Sequence, residues 1–245
     1  MKLPTNLGKC PIIEAFVEVH FKTEMVADAV FGLVYGALKN DYPNVTKLPI
    51  AQLPDEIRKA SIELRRKPCY QLRGADDRFL IQIGPDVLTI TNINSYLGWK
   101  DFQKFYRNVW EKIVGVGVIT EIERIGVHYI NFFKQNVFEN TKIKIRLIEN
   151  ELGSEETFLR SCLTKGAYQT NINITNRGVI KKPDGMITGS VIDIEAACKG
   201  EMARSVDQLP ANIENTRLVA KDLFFSLLNE DFLTTLEPDY EDEKT

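Results

Sequence analysis

Residues 11–22 read PIIEAFVEVHFK, and this stretch decides the class of fold. Its apolar side chains recur at every second position, which places them on one face of an extended chain. The polar residues Glu14, Glu18 and His20 fall on the opposite face. The pattern predicts a half-buried strand whose apolar face comprises Ile13, Ala15, Val17, Val19 and Phe21.

The chain that follows alternates between helical and extended patterns. In residues 24–39, apolar side chains recur at spacings of three or four, which predicts a helix. Residues 70–92 contain three short stretches suited to strands, separated by turns at 74–77 and 84–86. These three strands are predicted to form a meander.

A stripe of large side chains predicts the next helix. Its members recur with helical spacing and are Trp99, Phe102, Phe105, Tyr106, Trp110 and Ile113. Gly115 and Gly117 end this helix, and residues 119–133 read as a long strand. The first half, residues 1–136, is therefore predicted to be β-α-β-β-β-α-β.

The second half, residues 137–236, is predicted to be a shorter α-β-β-α unit packed closely on the first. It would contain a small helix near 142–151, strands at 167–175 and 186–196, and a long C-terminal helix. That last helix has a wide apolar face, formed by Ile213, Leu218, Ala220, Leu223, Phe224, Leu227 and Leu228. Residues 237–245 read EPDYEDEKT and predict a solvated acidic tail. Short turns between neighbouring strands favour an α+β class with a mainly antiparallel sheet and helices packed on it.

Composition excludes several classes of function. The 245 residues carry 31 basic and 34 acidic side chains, so no overall positive field attracts nucleic acid. The four cysteines occur singly, which argues against zinc and predicts free thiols in a reducing cytoplasm. No apolar run has the length of a signal peptide or a membrane span. We therefore expect a cytoplasmic protein with no membrane partner, no metal and no cofactor.

No catalytic motif is present in the sequence. There is no nucleophile elbow, phosphate-binding glycine loop or H-E-x-x-H, and the only histidines are His20 and His128. Two pairs of carboxylates could act as general acids or bases, Glu14 with Glu18 and Asp193 with Glu195. Such pairs are also typical of the solvent face of a sheet, and we assign no catalytic residue.

Polar strand faces offer binding surfaces. One would carry Gln169, Asn171, Asn173 and Thr175, and another Arg124, Gly126 and His128. Such faces are equally typical of the wet side of an antiparallel sheet. Glu14 and Arg124 both lie among apolar neighbours, where a charge is costly to bury unless it is paired. We therefore expect an ion pair between these two side chains.

Four segments together resemble a known group of proteins. They are PIIEAFVEVHF (11–21), RFLIQIGPDVLTI (78–90), YLGWKDF (96–102) and RIGVHYINFF (124–133). In order and spacing they look like a sporadically distributed bacterial family of uncharacterised proteins, with an N-terminal P-x-x-E-A motif and a later R-x-G-x-R-Y-x-N motif. His128 stands where that family usually has arginine, which puts a shared anion-binding role in doubt.

The resemblance implies no activity, but it marks positions. Carried over, they are Pro11, Glu14, Ala15, Gly84, Trp99, Arg124, Gly126, Tyr129 and Asn131. From these, and from the departing position His128, we predict binding residues at Glu14, Arg124, His128, Tyr129 and Asn131. Members of patchily inherited families often accompany mobile or defence genes, an association that favours a partner-binding role.

Three functions remain open at this point. The leading hypothesis is a non-enzymatic interaction component of a bacterial cytosolic system, which binds a protein partner or a second copy through the C-terminal helix. The first alternative is a metal-dependent hydrolase or nuclease that uses Glu14, Asp193 and Glu195. The second is a small-ligand sensor with a pocket between the sheet and the aromatic helix.

Overall fold

The strand predicted over residues 11–22 is β2 (Ile12–Lys22) of the computed structural model. The structure describes residues 3–94, 96–153, 156–182 and 185–240. In β2, the side chains of Ala15, Val17, Val19 and Phe21 are buried, as the alternation predicts. A two-residue strand, β1 (Asn6–Leu7), precedes it.

The predicted elements of the first half are confirmed. They are α1 (Ala27–Leu38), β4 (Tyr70–Arg73), β5 (Phe79–Ile83), β6 (Val87–Asn92), α4 (Trp99–Val114) and β7 (Glu121–Phe133). Between α1 and β4 the sequence predicted only a polar connection. The structure places there β3 (Asn44–Lys47), a 3-10 turn (Pro49–Gln52), α2 (Asp55–Ala60) and α3 (Ile62–Arg65).

The second half contains more strand than predicted. Its elements are α5 (Val137–Asn140), β8 (Ile145–Leu147), β9 (Asn150–Leu152), β10 (Phe158–Lys165), β11 (Tyr168–Lys182), β12 (Gly185–Lys199), a 3-10 turn (Gly200–Met202), α6 (Leu209–Leu227), α7 (Glu230–Thr235) and β13 (Pro238–Asp239). The predicted strand at 167–175 corresponds to the first half of β11, and the one at 186–196 to most of β12. β10 was not predicted.

The small helix predicted near residues 142–151 is wrong. This segment is the antiparallel hairpin β8–β9, in which Ile145 pairs with Leu152. Ile143 and Ile145 alternate along the chain and pack against the apolar core. A period of two suits a strand and not a helix. The helix in this region is the single turn α5, just upstream.

One nine-stranded sheet organises the chain, in the order β10-β11-β12-β7-β2-β6-β5-β4-β3. Neighbours from β2 to β3 pair antiparallel in turn, and so do β10 and β11. The predicted α+β class with a mainly antiparallel sheet is thereby confirmed. No helix in the described residues has both the length and the apolar character needed to cross a bilayer.

Two compact units draw on separated segments of the chain. Unit 1 comprises the N-terminal segment to Ile13, residues 128–196, and the chain from Arg217 onward. Unit 2 comprises residues 14–127 and 197–216. The sequence suggested consecutive halves instead, residues 1–136 and 137–236 with the second packed closely on the first, and that division stays a prediction.

In unit 1 the end of α6 and α7 supply the core. Phe224 and Phe232 lie beside Phe133 of β7, with ring centroids 6.5 and 5.4 Å from it. Apolar residues of β11 and β12 complete this core, among them Ile172, Ile174, Ile192 and Ile194. Much of the apolar face of α6 is therefore used within the chain. Leu218 is an exception, because 43% of it is exposed.

The start of the predicted acidic tail is also ordered. β13 pairs antiparallel with β1, where Asp239 lies opposite Asn6. Lys9 forms an ion pair with Glu237 at 2.9 Å. The prediction of a solvated tail is therefore wrong for Pro238 and Asp239, and residues 241–245 lie outside the described part.

In unit 2 the aromatic stripe of α4 lies in the core, as predicted. Phe102, Tyr106 and Trp110 are buried, and Phe105 stacks on Phe79 of β5 with ring centroids 3.7 Å apart. Because α4 covers the side of the strands that carries Ile81, Leu88 and Val19, the polar face of β2 lies on the other side.

Ile148 offers a direct test of the β8–β9 hairpin. It holds a left-handed backbone conformation, with φ at 59°, and is 91% exposed. This conformation strains a β-branched residue but not glycine, so we expect Ile148→Gly to raise the free energy of unfolding by about 1 kcal/mol. Urea denaturation measures the change. Glu149→Gly is the control and is expected to destabilise, since Glu149 has an ordinary φ. Equal effects of the two substitutions would contradict the hairpin.

Candidate functional site

The polar face of β2 forms one side of an open cavity of about 440 Å³ in unit 2, which we call the groove. Its floor comes from three strands and comprises Glu14, Phe16, Glu18, Gln82, Thr89 and Thr91. Its wall comes from the segment between β3 and β4 and comprises Leu48, Pro49, Ile50, Leu64, Lys67 and Pro68. The groove is thus polar on one side and largely apolar on the other.

Strand register lines up the floor. Glu18 of β2 lies opposite Thr89 of β6, and Thr89 lies opposite Gln82 of β5. Gln82 in turn donates from Nε2 to Oε1 of Gln71 at 3.4 Å. Since alternate residues of a strand share a face, this row of side chains follows directly from the alternation in β2.

Two ion pairs fasten the wall, residues 48–68, which we call the strap. Arg65 Nε lies 3.3 Å from Oδ2 of Asp86, in the turn between β5 and β6. Arg66 Nη2 donates to Oε2 of Glu123 on β7 at 2.8 Å. Burial raises the pKa of Asp86 above its ordinary value, although Arg65 and Arg66 oppose that effect. These charges hold α3 against the strands that carry the groove floor.

Glu18 is the centre of a partly buried charge network. Its Oε1 accepts a hydrogen bond from Arg124 Nη1 at 3.1 Å and lies 2.7 Å from His20 Nε2. Burial lowers the pKa of Arg124, and the nearby Glu18 carboxylate acts in the opposite direction. The His20 side chain is almost entirely buried. Glu18 therefore compensates a guanidinium that would be costly to bury alone.

The predicted binding residues Glu14 and Arg124 both belong to unit 2, in different settings. Glu14 lines the groove, whereas Arg124 is not among the lining residues and pairs with Glu18, which is. Arg124 therefore pairs with Glu18, which lies four residues after the expected partner Glu14 in β2. An ion pair between Glu14 and Arg124 stays a prediction.

A second polar cluster lies in unit 1, around the predicted binding residue His128. His128 Nε2 lies 3.0 Å from Oε1 of Glu195, and its Nδ1 lies 3.9 Å from Oδ1 of Asp193. Asn171 Nδ2 donates to Oε2 of Glu195 at 2.7 Å, and Asn173 Nδ2 donates to Oδ2 of Asp193 at 3.1 Å. The sequence analysis considered the amide face with Asn171 and Asn173 separately from the face with His128. In the structure, both faces contact the same two acids of β12, Asp193 and Glu195.

The other two predicted binding residues serve the interior of unit 1. Asn131 is 2% exposed, and its Nδ2 donates to the carbonyl oxygens of Ile192 at 3.1 Å and Tyr129 at 3.3 Å. The Tyr129 side chain packs against the apolar core. The hydrogen bonds of Asn131 and the packing of Tyr129 therefore both stabilise the interior of unit 1.

Two of the three acids proposed for metal chemistry, Asp193 and Glu195, are engaged by protein groups. Asp193 and Glu195 each accept a hydrogen bond from an asparagine amide. Within the described ranges, no group of three or more His, Cys, Asp or Glu side chains has a geometry suited to a metal ion.

Comparison with models of known protein families and with curated proteins gives no match. The bacterial family proposed from the sequence motifs therefore stays a prediction.

Sequence reasoning missed most of the groove. Thr89 and Thr91 occupy alternate positions of a predicted strand, which was the available signal, but their position beside β2 depends on the strand order. Leu48, Ile50 and Leu64 gave no signal, because nothing local places the strap over the sheet.

The Glu18 network makes a stability prediction. Glu18→Gln removes the charge that compensates Arg124, so we expect the free energy of unfolding to fall by about 1–3 kcal/mol. Urea denaturation at neutral pH measures it. Glu121→Gln is the matched control, because the ion pairs of Glu121 with Lys22 and Arg204 are more exposed, and we expect a smaller change. A larger loss in the control would contradict the role assigned to Glu18.

Proposed function

We propose that this protein is a non-enzymatic binding protein whose groove receives an extended segment of a protein partner, with a basic side chain directed at Glu14. The observation that carries the proposal is the composition of the groove. Two carboxylates flank Phe16 on the floor, and an apolar strap faces them. We place its action in the bacterial cytosol, as the sequence suggests.

Charge and hydrogen-bonding capacity favour a basic segment. Glu14 and Glu18 contribute two carboxylates to the lining, and Lys67 contributes one ammonium. Because Glu18 already pairs with Arg124, the proposal assigns the basic side chain of the partner to Glu14. Hydrogen bonds between a guanidinium or ammonium and a carboxylate are among the strongest that proteins form.

The spacing of the floor favours an extended chain. Glu14 and Glu18 are four residues apart on a strand, which corresponds to about 13 Å. An extended peptide spans that distance with the same number of residues. Thr89, Thr91 and Gln82 offer hydroxyl and amide groups to its backbone, and Leu48 and Ile50 offer apolar contact to its side chains. In other peptide-binding clefts, hydrogen bonds to the peptide backbone likewise supply affinity, and pockets for its side chains supply specificity.

A peptide-display selection tests the proposal. The full chain is immobilised and screened against random heptapeptides, and we expect enrichment of sequences with arginine or lysine next to apolar residues. Binding of a selected peptide to Glu14→Lys should be weaker by about tenfold to a hundredfold, which corresponds to the loss of one charge-assisted hydrogen bond.

The matched control is Glu111→Lys, which makes the same change of charge on the exposed side of α4 in the same unit. We expect it to bind the selected peptide as the unsubstituted chain does. Selection of peptides without basic residues, or equal loss in both variants, would refute the proposal.

A second candidate is a sensor of a small basic ligand, favoured by the volume of the groove. About 440 Å³ lies within the range of small-molecule sites. Thermal-shift measurements with free arginine and with a selected heptapeptide separate the two candidates. A peptide partner predicts stabilisation by the heptapeptide at concentrations where arginine has no effect, and a sensor predicts stabilisation by arginine itself.

A further inference from the structure

β10 (Phe158–Lys165) is the end strand of the nine-stranded sheet. It pairs with β11 in unbroken antiparallel register, from Phe158 opposite Thr175 to Lys165 opposite Tyr168. The strand contains no proline, and its register with β11 has no bulge, both of which commonly protect an edge. Phe158 is 67% exposed and Leu163 is 47% exposed. The edge therefore exposes two large apolar side chains beside Arg160 and Lys165, and its backbone is suited to pairing with another strand.

Side-chain contacts show which backbone groups point outward. Thr170 Oγ1 donates to the carbonyl oxygen of Leu163 at 3.3 Å, and the amide of Thr157 donates to Oδ1 of Asn176 at 3.0 Å. Both backbone groups therefore face β11. Because backbone groups alternate in direction along a strand, those of the intervening positions face the open edge. These positions are Phe158, Arg160, Cys162 and Thr164.

We propose that β10 pairs antiparallel with β10 of a second copy of this chain, about a twofold axis at Ser161. The outward-facing residues must lie opposite one another, which an axis at any residue of the strand satisfies, and the two residues nearest its middle, Ser161 and Cys162, pair the greatest length of β10. The axis at Ser161 places Leu159 of each copy against Leu163 of the other, and so covers the exposed leucine. The axis at Cys162 would place Leu159 against Lys165.

Charge is compatible with this register. Arg160 lies opposite Cys162, so no like charges face each other across the axis. The two copies use the same surface, so the contact closes on itself and forms a pair rather than a fibre. The contact involves unit 1 and does not depend on the function proposed for the groove.

Sedimentation equilibrium of the full chain tests the pairing. We expect a concentration-dependent dimer, which Leu163→Lys weakens by about tenfold or more, because the substitution replaces both leucine pairs. The matched control is Leu218→Lys on α6, since Leu218 is exposed to nearly the same degree, 43%. A monomer at all concentrations, or equal weakening in both variants, would overturn the proposal.

Cysteine cross-linking tests the axis. In a chain with Cys10→Ser and Cys162→Ser, the substitution Ser161→Cys should give a disulfide-linked dimer under mild oxidation, because the two thiols face each other. Thr164→Cys in the same background faces Phe158 and should give none. Cross-linking through native Cys162 but not through Ser161→Cys would overturn the proposed register.

Discussion

The period of two in β2 is the constraint on which both the core and the groove depend. One face of this strand buries Ala15, Val17 and Val19 beneath α4, while the other presents Glu14, Phe16 and Glu18. A slip of one residue would exchange the two faces and carry the carboxylates into the core. The free-energy cost of burying those charges unpaired keeps the strand in register. The geometry of the groove is therefore set by the same pattern that builds the apolar interior.

Local patterns predicted most of unit 2, because each element carries its own signal. The aromatic stripe of α4 and the alternation of β6 were readable without knowledge of any distant contact. Residues 142–151 are the exception, because the predicted helix there is the hairpin β8–β9. Apolar and charged residues alternate there from 142 to 147, a period of two that suits the strand found and not the predicted helix.

The candidate site was less predictable, because it depends on pairings that are distant in the chain. Arg124 was expected to pair with Glu14, and the structure shows it paired with Glu18 of the same strand. Which carboxylate it meets depends on the register between strands more than 100 residues apart. His128, Asp193 and Asn173 were each recognised as polar strand residues, but the strand order alone brings them together. The strap had no local signal at all.

The strap is attached by ion pairs, and this makes its attachment sensitive to salt. Arg65 with Asp86 and Arg66 with Glu123 hold this segment by partly exposed charges. Dissolved ions weaken such attractions over a distance of about 10 Å at 0.1 M, while they strengthen or leave unchanged the apolar contacts beneath. We therefore expect added salt to weaken the attachment of the strap more than the apolar contacts of the sheet.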